Sequence, residues 1–211
     1  MNEIKKIRYG RLGPKVAEAL IKRNFDAWYC EDADAALDKI LTLIPSDASV
    51  GYGGSLTINA LGLKEALRAR GNRMFDRDLA ANPEERKQIE HQALSGDWFL
   101  MSSNAVSEDG QLVNIDGNGN RVAALCYGPK EVIVVAGMNK VAGNLEEAYA
   151  RARKFAAPVN AQRFNLATPC GKTGLCADCL SPECICSQIV VTRRSSGGRI
   201  KVILVGEELG F

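Results

Sequence analysis

A layered α/β fold with a mainly parallel sheet is what this sequence predicts, and two observations carry that reading. Segments of strand length alternate with segments of helical periodicity, and two of the strand segments, 98–101 and, after its leading glutamate, Glu131–Gly137, are unbroken apolar runs. Unbroken apolar strands are what burial on both faces of a parallel sheet requires, with helices supplying the cover. A third observation is the stretch 49–57, in which Val50 leads into Gly51, Gly53 and Gly54 before Ser55 and Thr57 open a helical pattern. A strand, a glycine turn and a capped helix start in that order suit α/β architecture, and they also suit an anion, because the first helical N–H groups lack intrahelical acceptors. An ordinary capped turn uses the same residue types.

Taken in order, Pro14 suits a first helical turn, and Val16, Ala17, Leu20 and Ile21 form one apolar face before Asn24. Residues 25–30 read as a strand, and Asp32 caps a helix with Ala36, Leu37, Ile40 and Ile44 inward, stopped by Pro45. The helix after the glycine turn carries Leu56, Ala60, Leu63 and Leu67 and ends near Gly71, and 73–76 reads as a second central strand. Asn82, Pro83 and Glu85 are a cap, a first-turn proline and a capping-box partner for a helix with Ile89, Ala93 and Leu94 inward. His91 points away from that face and is expected in solvent.

Strand 98–101 delivers Ser102, Ser103 and Asn104 to the sheet edge. After a turn at 108–110, Leu112–Asp116 alternates as a strand, and the polar loop 117–120 is expected to lie between it and a further strand at 121–125. Glu131–Gly137 follows, then a helix capped by Asn144 and closed by Pro158. Segments 189–192 and 200–205, with Ser-Ser-Gly-Gly between, read as a C-terminal antiparallel hairpin.

The composition narrows the function classes. At 211 residues with neither linker nor repeat, one domain over 1–211 is expected. With 27 Lys+Arg against 25 Asp+Glu and no basic cluster, nucleic acid is not an expected partner. The first residues lack the apolar run of a signal peptide and no segment is apolar enough to span a bilayer, so a cytoplasmic protein is expected. One histidine rules out two-His metal motifs. Seven cysteines in a reducing compartment favour metal or redox chemistry over disulfides, and Cys170, Cys176, Cys179, Cys184 and Cys186 crowd into one segment at spacings that suit zinc or an iron–sulfur cluster, with reversible thiol redox and plain thiols as alternatives. Cys30 and Cys126 stand in apolar contexts and are expected in the core.

Ligands of open α/β sheets gather at the carboxyl ends of strands. Three segments should meet there: Gly51, Gly53, Gly54, Ser55 and Thr57; Ser103 and Asn104; and Asn114 through Asp116, Gly117, Asn118 and Asn120 to Arg121. They suit a small anionic or polyhydroxylated ligand, with Arg121 as its charge partner, although Asn, Asp and Gly also favour loops that bind nothing. No NAD or ATP motif is present: Leu56 and Val122 stand where a dinucleotide fingerprint needs a third small residue, and Leu166 where a Walker loop before Gly171-Lys172-Thr173 needs its first glycine.

The runs 102–110 and 114–124, together with Tyr127-Gly128-Pro129, Gly137-Met138-Asn139-Lys140, 157–161 and the cysteine segment 169–186, resemble the lactate-utilization (LUD) domain family over most of residues 45–190. The resemblance implies a three-layer sandwich like that of the ribose-phosphate isomerase, glucosamine-phosphate deaminase and CoA-transferase group, in which 51–57 is similar to a phosphate loop. It implies a role as an accessory or ligand-binding subunit in the oxidation of lactate to pyruvate, with iron–sulfur or flavin partner subunits and a homo-oligomer among the partners. The paired ferredoxin-like cysteine runs of that system's larger iron–sulfur subunit are missing here. Among the cysteines, the resemblance selects Cys170, Cys176, Cys179 and Cys186 as metal ligands, with Cys184 an extra. The competing expectation is a free-standing enzyme acting on a sugar phosphate or CoA thioester, which needs a general base; Glu108, Asp109 and Asp116 are the nearby carboxylates.

Overall fold

The computed structural model describes residues 2–211. Helix α1 (Glu3–Lys22) is capped by Asn2 and runs through Pro14, which lies inside it and not in its first turn. An interior proline costs about 3 kcal/mol, whereas each buried large apolar side chain contributes about 1.5–3 kcal/mol. Tyr9, Val16, Ala17 and Leu20 are buried along one face, so packing outweighs the break. Asn24, at φ 61°, turns the chain into β1 (Asp26–Cys30). Asp32 caps α2 (Ala33–Leu43) by accepting from the Ala35 amide at 2.8 Å, and β2 (Ser49–Tyr52) follows.

The single helix expected after the glycine turn is two, α3 (Leu56–Ala60) and α4 (Leu63–Ala69), parted at Gly62 with φ 63°. Then come β3 (Arg73–Phe75), α5 (Pro83–Leu94), β4 (Trp98–Ser102), β5 (Ala105–Ser107) and β6 (Leu112–Asp116). Residues 121–125 are not a strand but belong to α6 (Asn120–Cys126), which leaves Cys126 exposed at the helix end instead of in the core. Strands β7 (Glu131–Gly137) and β8 (Val141–Ala142) precede α7 (Leu145–Arg151). Pro158 does not end this helix. A π-helical segment, Ala152–Ala156, shifts the hydrogen-bond register, the Ala157 amide reaching the Ala152 carbonyl, and the helix continues as α8 (Ala157–Arg163). The chain closes with α9 (Pro169–Thr173), β9 (Gln188–Thr192) and β10 (Ile200–Val205).

Six strands form a wholly parallel sheet in the order β1-β10-β7-β4-β2-β3. Its two faces are read off β7: Val132, Val134 and Ala136 pack in one core with Val16 and Leu20 of α1 and Ala93 of α5, while Ile133 and Val135 pack in a second with Ile40, Ile58 and Leu63 of α2, α3 and α4. Helices on both faces make the three layers that the family resemblance implies. A smaller mixed sheet, β8-β5-β6-β9, packs Ala105, Val113 and Ile115 against Ala148 and Ala152.

The expected terminal hairpin does not form. β9 pairs antiparallel with β6 in the small sheet, while β10 inserts between β1 and β7 in the large one. The side chains explain the parting: all but one residue of β10 are buried, as a central parallel strand requires, whereas β9 is partly exposed. Strand β3, expected to be central, is the sheet edge. Among the described residues no helix is long and apolar enough to cross a membrane.

Candidate functional site

Because all six strands of the large sheet run the same way, their carboxyl ends share one edge. From that edge leave residues 53–57 after β2, 102–104 after β4, 138–140 after β7 and 206–211 after β10. Together with α8 they enclose an inner cavity of about 90 Å³. An outer cleft of about 500 Å³ adjoins it, the two sharing Gly54, Ser55, Asn104, Ile115, Arg121, Asn160 and Arg163 as walls.

Lys140 is the chemically distinctive group of the inner cavity. Its side chain is buried, only 3 % of the residue being exposed, and Nζ donates to Thr57 Oγ1 at 3.0 Å and Ser102 Oγ at 2.8 Å. It forms no ion pair within reach of a carboxylate among the described residues. Burial, with Arg151 and Arg121 adding to it, pushes its pKa down to about 7. At neutral pH a large fraction is therefore the free amine. No Asp or Glu side chain lines the inner cavity, and Arg163, on its rim, has no carboxylate partner among the described residues. Asn139 braces this end of the site: its amide donates to the Gly210 carbonyl and its Oδ1 accepts from the Leu209 amide.

The glycines serve side chains more than ligand. A Cβ on Gly51 would stand 2.6 Å from Ala93 Cβ, so its absence lets α5 lie on β2. On Gly53 it would stand 3.0 Å from Arg121 Cδ, and on Gly54 2.7 Å from Arg77 Nη2. The turn is thus shaped around two guanidinium groups. Gly54, Ser55 and Thr57 line the inner cavity; Gly51 and Gly53 do not. Ser55 caps α3 by accepting from the Ile58 amide.

Arg121 reaches both cavities, yet its donors are occupied by protein. Nη1 donates to Ser102 O and Asn114 Oδ1, Nη2 to Asn104 Oδ1 and Ile115 O, and Nε lies 3.6 Å from Asp116 Oδ2. It is a latch between β4, β6 and α6 that lends the cleft its charge and not its hydrogen bonds. Asn114 and Asn104 are its acceptors; Ser103 donates inward to the Ala105 and Val113 carbonyls while lining the inner cavity. Asp116 accepts from the amides of Asn118, Gly119 and Val122, which starts α6. Gly117, Asn118 and Asn120 line the outer cleft and not the inner cavity. None of the three candidate carboxylates can be the base of the inner cavity. Asp116 is held by α6 and Arg121, Asp109 pairs with Arg23, and Glu108 faces Arg8.

The segments anticipated from the sequence therefore do converge, and three more join them. Lys140, Asn160, Arg163 and Gly210 were not anticipated, nor were Lys64, Arg77 and Arg86 in the outer cleft. The signal for Lys140 was its place three residues beyond the clearest buried strand, and the reading of β10 as a hairpin hid the arrival of 206–211.

Residues 14–205 match the LUD domain. The chain belongs to the LUD domain family. Among solved structures, this LUD-domain chain is similar to a DUF162 family protein from Deinococcus radiodurans, with a TM-score of 0.54 and 13% identity over 93% of this chain and 98% of that one. It is also similar to ribose 5-phosphate isomerase A from Neisseria gonorrhoeae, with a TM-score of 0.35 and 15% identity over 54% of each chain. No curated protein sequence matches it.

The LUD domain's second feature here is its cysteine segment. Cys170, Cys176, Cys179, Cys184 and Cys186 all line one small cavity of about 20 Å³, which shares Ala157 and Ile185 with the outer cleft. Arg153, from the π-helical segment, points into it, pairs with Asp178 and lies 3.7 Å from Cys176 Sγ. Burial and the neighbouring Cys184 push the Cys186 thiol up to about 12, while hydrogen bonds from Ser181 lower Cys179. No three of these thiols converge at metal-binding geometry among the described residues. The residues fit a metal by type and neighbourhood, and by geometry only if 174–187 contracts around it.

Proposed function

We propose that this LUD-domain protein binds a small organic anion in the cavity at the sheet edge, as an accessory or ligand-binding subunit of lactate or other organic-acid oxidation. One observation carries the reading: Lys140 and Arg163 line a small cavity that contains no acidic side chain. A cavity of about 90 Å³ suits a short acid. The cations of the outer cleft, Lys64, Arg77 and Arg86, draw anions toward it, although Asp78 and Glu90 pair with them and reduce the field.

The test is calorimetric titration with lactate, pyruvate and inorganic phosphate on wild type and on Arg163→Ala. Saturable binding of a short carboxylate, weakened tenfold or more by loss of a charge-assisted contact, is expected. Binding to none of them removes the reading. Tighter binding of ribose 5-phosphate or of a CoA thioester, which the larger outer cleft favours, would replace it with the free-standing enzyme. In the same proposal Cys170, Cys176, Cys179 and Cys186 hold zinc or an iron–sulfur cluster, and electron-transfer subunits with iron–sulfur or flavin groups are the partners. A metal bound there would fold residues 174–187 around itself, as thiolate sites do.

A further inference from the structure

Lys140 has a chemistry that anion binding alone does not use. A lysine kept as an anion anchor gains from carrying its charge, yet the surroundings of this one oppose the charge: Arg121 from α6 and Arg151 from the end of α7 face it, and no Asp or Glu side chain lines its cavity. Two of the three hydrogen-bonding positions of Nζ are held by Thr57 and Ser102. The remaining one, a lone pair in the free amine, is the position left for the cavity that Lys140 lines. A desolvated amine beside other cations is the arrangement that makes lysine a nucleophile toward carbonyl carbon. Asn160 and Arg163 stand on the wall formed by α8 and supply a donor and a charge for a carboxylate on the same small molecule.

We propose that Lys140 is a covalent binding site for the carbonyl carbon of a short oxo acid. The inference rests on the small-anion reading above and names the class of ligand. In the step, the Nζ lone pair forms a bond to the carbonyl carbon while the C=O π pair moves to oxygen. That oxygen takes both amine protons, one in forming the carbinolamine and one on its loss as water, and the carbon–oxygen bond breaks as the C=N bond forms. Amine and oxo acid thus give imine and water, with no change of oxidation state and no further reactant. Thr57 and Ser102 each offer a hydroxyl within hydrogen-bond distance of Nζ to relay those protons.

The experiment is reductive trapping of the full chain with pyruvate and sodium borohydride at pH 7.5, followed by peptide mass mapping, in parallel with calorimetry using lactate, which lacks the carbonyl. The expected result is one reduced pyruvate adduct, on the peptide that contains Lys140, at a yield at least tenfold above any surface lysine. Lactate should compete with its formation. Lactate binding with no adduct on Lys140, or with adducts spread evenly over surface lysines, overturns the covalent site and leaves the anion reading standing. Absence of both lactate binding and adduct overturns both. Because the mapping is done on wild type, the outcome does not depend on a variant that folds.

Discussion

At the scale of single residues, Arg121 departs from the role its sequence position suggests, and Lys140, to which the sequence assigned none, lines the inner cavity. Arg121 lies in the polar run that looked like a ligand loop, yet all four of its Nη hydrogen bonds hold backbone and amide oxygens of the fold. Arg121→Ala should therefore act first on stability. Removing one member of a buried, hydrogen-bonded pair costs about 3–5 kcal/mol, and chemical denaturation should show a loss of that size, with Arg121→Lys recovering only part because an ammonium cannot reproduce the fork. Stability unchanged by Arg121→Ala would refute the latch. For Lys140 the linkage runs the other way from a stabilising ion pair. Its pKa is about 7 in the fold against 10.5 ordinarily, so below pH 7 both states hold the proton, and between about 7 and 10.5 the unfolded chain binds more. Stability then rises with pH through that window, by at most about 1.4 kcal/mol per pH unit. Relative to Lys140→Met, wild type should gain melting temperature between pH 7 and pH 9. Parallel pH profiles for the two proteins would show that burial does not depress this amine.

At the scale of elements, local sequence predicted most boundaries and failed where a long-range contact decided them. The caps Asp32, Ser55, Asn82 and Asn144 all work as their sequence positions predict. Helix α6 was hidden because its start depends on Asp116, at the end of the preceding strand, accepting three amides across a glycine turn in which Gly119 has φ 80°. Asp116→Ala should cost about 1–3 kcal/mol for the amides left without an acceptor and should raise amide exchange at Asn118, Gly119 and Val122. Unchanged protection at those amides would show that α6 starts without it. Gly51 belongs to this scale as well, since its lack of a side chain sets how closely α5 lies on β2. Gly51→Ala should destabilise by about 1–3 kcal/mol, as overpacking does, while leaving anion affinity intact, because Gly51 does not line the cavity. A loss of affinity without a loss of stability would return Gly51 to the ligand site.

At the scale of the whole molecule, the insertion of β10 between β1 and β7 organises both the core and the site. Ile203 is fully buried there, and Ile203→Ala should cost about 2–5 kcal/mol in a denaturant titration. A value below 1 kcal/mol would mean that β10 is not a central strand. The same insertion carries 206–211 to the edge where Gly210 and Phe211 wall the cavity.

The sequence by itself determined the layered α/β class, the apolar double-faced strands, the helix caps and three of the segments that line the inner cavity, since these follow from periodicity and from residues adjacent in the chain. Only the tertiary structure decided that the last two strands part into different sheets, that the glycines make room for arginines, and that Lys140 is a buried amine without a counter-charge. Those outcomes depend on which groups from distant parts of the chain come within a few ångströms of one another, and on how much water they exclude when they do.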